Sequence, residues 1–179
     1  GGAIYIASSR YSNITVQDGA TFTGNYAWTK GGAILMQGSY AGSSSQFLAL
    51  TRDVLFSGNM TGGTFTRHSD GSFSVENGIA NAIHMGGDQN VQLAASEGRQ
   101  IRFNDPVTSS ALSSSRENIA FSINQYMDGD NPRTTGGTVI FSGELYQGED
   151  FHLVASRYND FKGQTTLYGG TLVLEHNVV

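Results

Sequence analysis

The chain alternates between short apolar runs and clusters of Gly, Ser, Asn and Asp. In the first 60 residues each run is three or four residues long, and in several of them apolar and polar side chains alternate. Such runs predict β-strands, and the connections between them are too short to hold helices. We predict three strands in each of the first two repeats, at residues 3–6, 13–16, 20–23, 33–36, 47–50 and 54–56.

Two short motifs recur in this pattern and define an internal repeat. The sequence FTGN at 22–25 returns as FSGN at 56–59, and GGAI at 31–34 is also found at 1–4. The segment NAI at 81–83 is an altered copy of GGAI, whereas Phe103 and Phe141 keep only the aromatic position. Repeats of this size are typical of stacked architectures, in which each unit packs on the next.

The spacing of these Phe residues is uneven, at 34, 47 and 38 residues, so some residues must leave the coils as loops. The predicted excursions are 39–45, 61–77, 108–117 and 128–135, the second with a small hairpin. We predict one all-β solenoid segment over 1–179 with about six coils. Residues 1–135 form repeat coils with long loops, and 136–179 form more regular coils. Because the chain begins within a repeat, we expect a segment of a longer protein.

Aligning the repeats predicts which side chains point inward. The four Phe positions share a face with the residues two places earlier, which predicts an interior stack of rings about 4.8 Å apart. The ring positions are Phe22, Phe56, Phe103 and Phe141, and the intervening outward positions are Thr21, Leu55, Arg102 and Ile140. In the GGAI strands the Ile and Met residues point inward, and the predicted outward column is Tyr5, Leu35 and His84.

The corner after each Phe strand is expected to hold a polar ladder. Asn25 and Asn59 occupy equivalent corners, where Asn tolerates a left-handed backbone and its amide can bond to the next coil. Pro106 and Glu144 stand at the third and fourth copies, so we expect the ladder to lapse there. Gly31 and Gly32 of the second GGAI motif are also interpreted as architectural positions.

Composition narrows the classes of function. The net charge is −5, with ten basic residues scattered singly, which argues against nucleic-acid binding. There is no cysteine, which excludes disulfides and thiolate metal sites. No apolar run reaches the roughly 20 residues that a bilayer requires, so we expect no membrane insertion by this segment.

Catalytic and metal-binding chemistry finds little support. Asp128, Gly129 and Asp130 resemble part of a calcium loop but lack its remaining ligands. The four histidines share no ligand spacing, and no paired carboxylates or nucleophile motif stand out. We therefore expect no enzyme, no metal and no cofactor.

The contact candidates are residues that depart from the repeat. Trp28 lies in a connection that normally carries small residues, with Tyr26 and Lys30 beside it. An exposed Trp on a turn can stack on a sugar or anchor a protein contact. The slightly favoured alternative is that Trp28 folds over the coil corner and covers apolar surface. Tyr11 and Tyr40, in excursions of adjacent coils, are candidates of lower priority.

The pairing of GGAI with Phe-x-x-Asn resembles the repeat of the chlamydial polymorphic outer membrane proteins, which also occurs in other Gram-negative autotransporter passengers. Residues 101–107 and 137–143 resemble the segments that follow such repeats, and 164–174 is similar to the terminal coils of autotransporter β-helices. The resemblance implies a right-handed parallel β-helix, displayed at the bacterial surface through a C-terminal outer-membrane barrel or secreted. The absence of cysteine departs from many chlamydial members and favours a proteobacterial autotransporter.

The resemblance also implies adhesion. The leading hypothesis is a non-catalytic adhesin segment that binds host extracellular matrix protein or surface glycan, or that self-associates between cells in aggregation, biofilm formation and virulence. One alternative is a polysaccharide-cleaving β-helix enzyme, since right-handed β-helices also host such enzymes. Another is a structural spacer within a larger surface protein.

Overall fold

The computed structural model describes residues 1–7, 13–37, 44–86, 89–110, 119–143 and 163–175. Within these ranges the regular structure consists of strands, and no helix is long and apolar enough to cross a membrane. Three parallel sheets run along the molecule, and each full turn of the chain adds one strand to each sheet. The molecule is therefore a parallel β-helix, as predicted.

The bounds of the strands in the three sheets are as follows. Sheet 1 contains β1 (Ile4–Ile6), β5 (Ile34–Gln37), β12 (Ile83–Gly86) and β15 (Val107–Ser109). Sheet 2 contains β2 (Thr15–Gln17), β6 (Ser44–Ala49), β13 (Gln89–Ala95), β16 (Ile119–Ile123) and β20 (Gln164–Leu167). Sheet 3 contains β3 (Thr21–Thr23), β7 (Val54–Ser57), β14 (Gln100–Phe103), β19 (Thr138–Phe141) and β21 (Thr171–Leu174).

Shorter strands lie at the corner between sheets 3 and 1 and in two hairpins. The corner strands are β4 (Tyr26–Ala27), β8 (Met60–Thr61) and β11 (Ile79–Ala80). The first hairpin pairs β9 (Thr64–Arg67) with β10 (Phe73–Glu76), which confirms the hairpin predicted within 61–77. The second pairs β17 (Gln125–Asp128) with β18 (Asn131–Thr134) and occupies the predicted excursion near 128–135.

The described strands form five coils, as judged from the five strands in each of sheets 2 and 3. Coils 1 to 3 begin with β1, β5 and β12, coil 4 with β15, and coil 5 contributes β20 and β21. Of the regular coils predicted over 136–179, residues 144–162 and 176–179 lie outside the described residues. The prediction that 1–179 forms a single unit, divided near 135, stays a prediction.

The core is organised by the predicted column of Phe rings. Phe22 stacks on Phe56 at a centroid distance of 4.7 Å, Phe56 on Phe103 at 4.8 Å, and Phe103 on Phe141 at 5.2 Å. The rings are nearly parallel, with interplanar angles of 5°, 20° and 8°. Val54, two residues before Phe56, is fully buried on the same face, as the period-two alternation requires.

Two outward columns are less exposed than the sequence predicts. Tyr5 is 58% exposed, but Leu35 and His84, which are in register with it, are buried. His84 is covered because both ring nitrogens bond to coil 4 and Lys30 reaches past it to Ser110.

Sheet 3 carries a similar correction. Ile140 was expected outside and is buried. The ion pair between Arg102 of coil 3 and Glu175 of coil 5, with Nη2 and Oε2 2.9 Å apart, spans the coil that carries Ile140. Long side chains from neighbouring coils therefore cover outward positions that the pattern alone predicts as exposed.

The corner ladder continues further than predicted. Asn25 Nδ2 donates to Asn59 Oδ1 at 2.8 Å, and Asn59 Nδ2 donates to Asp105 Oδ2 at 2.6 Å. The expected lapse at the third copy is wrong, because Asp105 replaces Pro106 as the partner of Asn59. The Asp105 carboxylate also accepts from the backbone N–H groups of Gly58 and Asn59, and burial raises its pKa despite these donors.

The aromatic column yields a test of stability. We expect Phe103→Ala to lower the free energy of unfolding by about 3–5 kcal/mol, because Phe103 is fully buried between two stacked rings. Phe22→Ala is the matched control and should cost clearly less, since Phe22 is half-buried and, among the described rings, stacks on Phe56 alone. Urea unfolding of the two variants measures the difference. Equal losses of unfolding free energy in the two variants would contradict a stack in which an interior ring contributes more to stability than a terminal ring.

Candidate functional site

The surface beside the β4–β8–β11 corner displays aromatic side chains. Tyr26 of β4 pairs with Met60 of β8, and Ala27 pairs with Thr61. Ala27 and Thr61 are buried, whereas Met60 is exposed and Tyr26 is half-buried. Alternation along the strands therefore places Tyr26 and Met60 on the outer side of this corner.

The first hairpin is clamped to this corner by ring stacking. Phe65 of β9 stacks on Tyr26 at 5.0 Å, and Phe73 of β10 stacks on Phe65 at 5.4 Å. Phe65 is 39% and Phe73 47% exposed, so both rings remain accessible while they hold the hairpin in place. We call Tyr26, Trp28, Met60, Phe65 and Phe73 the aromatic ledge.

Trp28 is the most exposed large apolar side chain among the described residues, at 71%. It lies two residues after Tyr26, in the bend that leads to Gly31. Such exposure does not fit the alternative in which Trp28 folds over the corner and covers apolar surface. Its role as a contact residue stays a prediction.

The other contact candidates fare differently. One face of the Tyr26 ring is covered by Phe65, and the Tyr26 hydroxyl is buried without a hydrogen-bond partner. The Lys30 ammonium donates a hydrogen bond to Ser110 Oγ at 3.4 Å, so the Lys30 side chain lies along the outer side of sheet 1. Tyr11 and Tyr40 lie outside the described residues. Phe22, Asn25, Gly31, Phe56, Asn59, Phe103 and Phe141 all contribute to the stacked coils.

Sequence reasoning missed Phe65, Phe73 and Met60 as surface candidates. Phe65 and Phe73 were used only to predict the hairpin, because no repeat copy exists at 64–76 against which to recognise a departure. A signal was present: aromatic residues on opposite strands of a short excursion have no interior to fill, so they must pack on the outside.

A second cluster lies on the outer side of sheet 1 around His84. The His84 Nδ1 atom lies 2.9 Å from Thr108 Oγ1, and Nε2 lies 3.0 Å from Ser110 Oγ. Desolvation and, second to it, the positive charge of Lys30 lower the pKa of His84 to about 4. The imidazole is therefore neutral at physiological pH.

The described residues contain no group of three or more His, Asp or Glu placed to hold a metal ion. The calcium-like segment at 128–130 forms the turn of the second hairpin, with Gly129 in the left-handed region. The Asp128 carboxylate contacts Arg133 Nε at 3.3 Å. These residues act as turn and ion-pair residues of the hairpin.

Comparison with known proteins identifies relatives in one organism. The probable outer membrane protein pmp8 of Chlamydia pneumoniae is 33% identical over 156 residues, which is 87% of this chain and 15% of the relative. The probable outer membrane protein pmp13 of the same organism is 32% identical over 179 residues, which is 98% of this chain and 16% of the relative. The probable outer membrane protein pmp2 is 33% identical over 174 residues, which is 93% of this chain and 18% of the relative. No protein-family model and no solved structure matches the chain.

Parallel coils, a ladder of Phe rings and corner asparagines together define a repeat-built parallel β-helix. Over most of its length the chain is homologous to chlamydial polymorphic outer membrane proteins, which supports an outer-membrane autotransporter passenger. It spans less than a fifth of the length of each relative. Since these relatives are chlamydial, they do not support the preference for a proteobacterial passenger that the absence of cysteine suggested.

His84 yields a prediction of pH dependence. Its pKa is lower in the folded chain, about 4, than the ordinary 6.5, so the unfolded chain binds the proton more readily between these values. Stability is therefore lost as pH falls from 6.5 towards 4, by up to about 1.4 kcal/mol per pH unit. In His84→Gln this contribution should disappear, as measured by urea unfolding at several pH values. The exposed His68→Gln variant is the control, and an unchanged slope in His84→Gln would contradict the assignment.

Proposed function

We propose that this segment is an adhesive part of an autotransporter passenger at the bacterial surface. Two observations support the proposal: the relatives carry the name outer membrane protein, and the β-helix is a rigid support for exposed side chains. Five coils at about 4.8 Å each give a rod of roughly 24 Å in the described part. Such a rod presents a partner with surface features in fixed positions.

The aromatic ledge carries the proposal. Trp28, Phe65 and Phe73 expose 71%, 39% and 47% of their surface on one projecting structure. Large aromatic side chains supply much of the binding energy at protein contacts and stack on sugar rings. Because ring stacking holds Tyr26, Phe65 and Phe73 in place, little side-chain entropy would be lost at these three rings when a partner binds. The partner class is a host matrix protein or surface glycan, or a second copy on a neighbouring cell.

The alternatives have weaker support. A polysaccharide-cleaving enzyme needs two carboxylates held together on one face, whereas the buried carboxylate of Asp105 is occupied by the corner ladder. A structural spacer needs only the coils, so changes in the ledge would have no effect on attachment. An enzyme would reveal itself by turnover of a glycan, which the adhesin proposal does not expect.

Trp28→Ala in this segment should weaken attachment at least tenfold, a loss of about 1.4 kcal/mol, because the most exposed ring is removed without disturbing the core. The measurement is binding to a glycan array and to immobilised matrix proteins, with analytical ultracentrifugation for self-association. Phe73→Ser tests the hairpin side of the ledge. Tyr168→Ala is the matched control, since Tyr168 is an exposed aromatic residue of coil 5.

The outcomes separate the hypotheses. Weaker binding in Trp28→Ala and Phe73→Ser, with Tyr168→Ala unchanged, supports the ledge. Ligand binding that survives both ledge variants would move the contact elsewhere on the rod. A monomer without any ligand would favour the spacer, whereas concentration-dependent association lost in Trp28→Ala would favour contact between cells.

A further inference from the structure

A chain of side-chain hydrogen bonds on the outer side of sheet 1 ends on the hydroxyl group of Ser110. Asn81 Nδ2 donates to Thr108 Oγ1 at 2.9 Å, and Thr108 Oγ1 lies 2.9 Å from His84 Nδ1. His84 Nε2 lies 3.0 Å from Ser110 Oγ, which also accepts from the Lys30 ammonium at 3.4 Å. Asn81, Thr108 and His84 are buried, whereas Ser110 is part-exposed and Lys30 exposed.

This chain differs from the corner ladders that hold the coils together. Asn124, for example, is buried and bonds to the backbone of Ala95, Gly137 and Gly169. Asn81 also bonds to the backbone of Gly31 and Pro106. From Thr108 onward the chain instead joins side chain to side chain and ends on the part-exposed hydroxyl group of Ser110. A neutral hydrophobic residue would cover the strand equally well, so burial of an imidazole here calls for another explanation.

The arrangement contains the parts that activate a serine. A nucleophile must lie within hydrogen-bond reach of a base, and a third group must orient that base. Thr108 already accepts from Asn81 and can accept a second bond from a proton on His84 Nδ1. In that tautomer His84 Nε2 carries a lone pair and accepts the proton of Ser110. The pKa of His84, about 4, leaves the ring unprotonated across the physiological range, but it also makes the ring a weaker base than an ordinary histidine, which restricts the reaction to activated esters.

We propose that Ser110 Oγ is a nucleophile towards small, activated carboxylic esters, with His84 as its general base and Lys30 beside the developing negative charge. Asn81 and Thr108 are positioning residues, because they act on the ester only through His84. The reaction is independent of the proposed adhesive role, which rests on the aromatic ledge.

The steps balance within the residues named. Ser110 Oγ forms a bond to the carbonyl carbon while its proton passes to His84 Nε2, and the carbonyl oxygen takes the negative charge near the Lys30 ammonium. When the carbonyl re-forms, the bond to the alcohol oxygen breaks, and the departing alkoxide takes the proton from His84. A water molecule then attacks the acyl-serine, giving its proton to His84 and releasing the carboxylic acid and Ser110.

The test uses this segment with an alkyl fluorophosphonate as covalent probe and p-nitrophenyl acetate as ester. Peptide mass spectrometry should place the label on Ser110, and Ser110→Ala should lower both labelling and ester hydrolysis at least tenfold. His84→Gln should do the same. The matched control is Ser74→Ala, because Ser74 Oγ lies 3.1 Å from His68 Nε2 in an exposed Ser–His pair on the first hairpin.

The results are decisive in both directions. Absence of labelling on Ser110 in folded protein, or equal labelling of Ser74 and Ser110, would overturn the proposal. Loss of labelling in Ser110→Ala and His84→Gln, with Ser74→Ala unchanged and the circular dichroism of all variants equal to that of the parent, would support it.

Nitrogen NMR of His84 tests the base without any ester. We expect a proton on Nδ1 and a bare Nε2. Thr108→Val should shift the ring towards the other tautomer and lower labelling of Ser110, which a merely structural Thr108 would not do. A proton on Nε2 in the parent protein would overturn the role of His84 as base.

Discussion

The constant rise of about 4.8 Å between parallel coils decides which side chains this molecule can use. In a parallel sheet in register, the nearest neighbour of a side chain is its equivalent in the next coil. Aromatic rings and amides gain from this arrangement, because rings stack and amides both donate and accept. Like charges would repel at that distance. The column of Phe rings and the corner asparagines are consequences of the same constraint.

The residue that ends the corner ladder is determined by how many hydrogen bonds each member can donate and accept. Asn25 donates to Asn59, and Asn59 donates to Asp105, so the last member has to accept only. An ionised carboxylate is an acceptor without a donor, and here it takes two backbone N–H groups in addition to the Asn59 amide. A third asparagine would leave its own NH2 group facing other donors. Asp105 thus resolves the polarity of the ladder at the cost of a buried charge.

The part of this fold that sequence predicts is the part that repeats. Phe22, Phe56, Phe103 and Phe141 share a register, and their stacking follows from alternation and coil spacing. Asp105 was not predicted as a ladder member because the alignment places Pro106, and not Asp105, opposite Asn59. In the structure the residue that reaches Asn59 lies one position earlier in the chain than the aligned one. The burial of His84 and Ile140 was missed because long side chains from other coils span their positions, Lys30 to Ser110 and Arg102 to Glu175. The repeat period and the alternation of apolar and polar residues do not indicate how far a long side chain extends along the stack of coils.

The two hairpins differ in the residues that they expose on their outer surfaces. The second hairpin carries Pro132 in β18, and its Met127 backbone bonds to the Gln46 and Gln92 side chains of sheet 2. Pro and charged residues are common devices that keep exposed strands from unwanted pairing. The first hairpin lacks proline and shows aromatic rings instead. Trp28 could be recognised as a departure from a repeat, whereas Phe65 and Phe73 lie where no repeat offers a comparison.

Bonds that skip a coil limit how this β-helix can change in length. A solenoid whose units contact only their neighbours can gain or lose a unit at little cost, because every new interface repeats an old one. Arg102 and Glu175 lie two coils apart, and Lys30 reaches across sheet 1 to a serine 80 residues away. An added coil between either pair would keep the backbone ladder intact but move the partners about 4.8 Å further apart. Duplication of repeats is therefore restricted to positions that these side chains do not span.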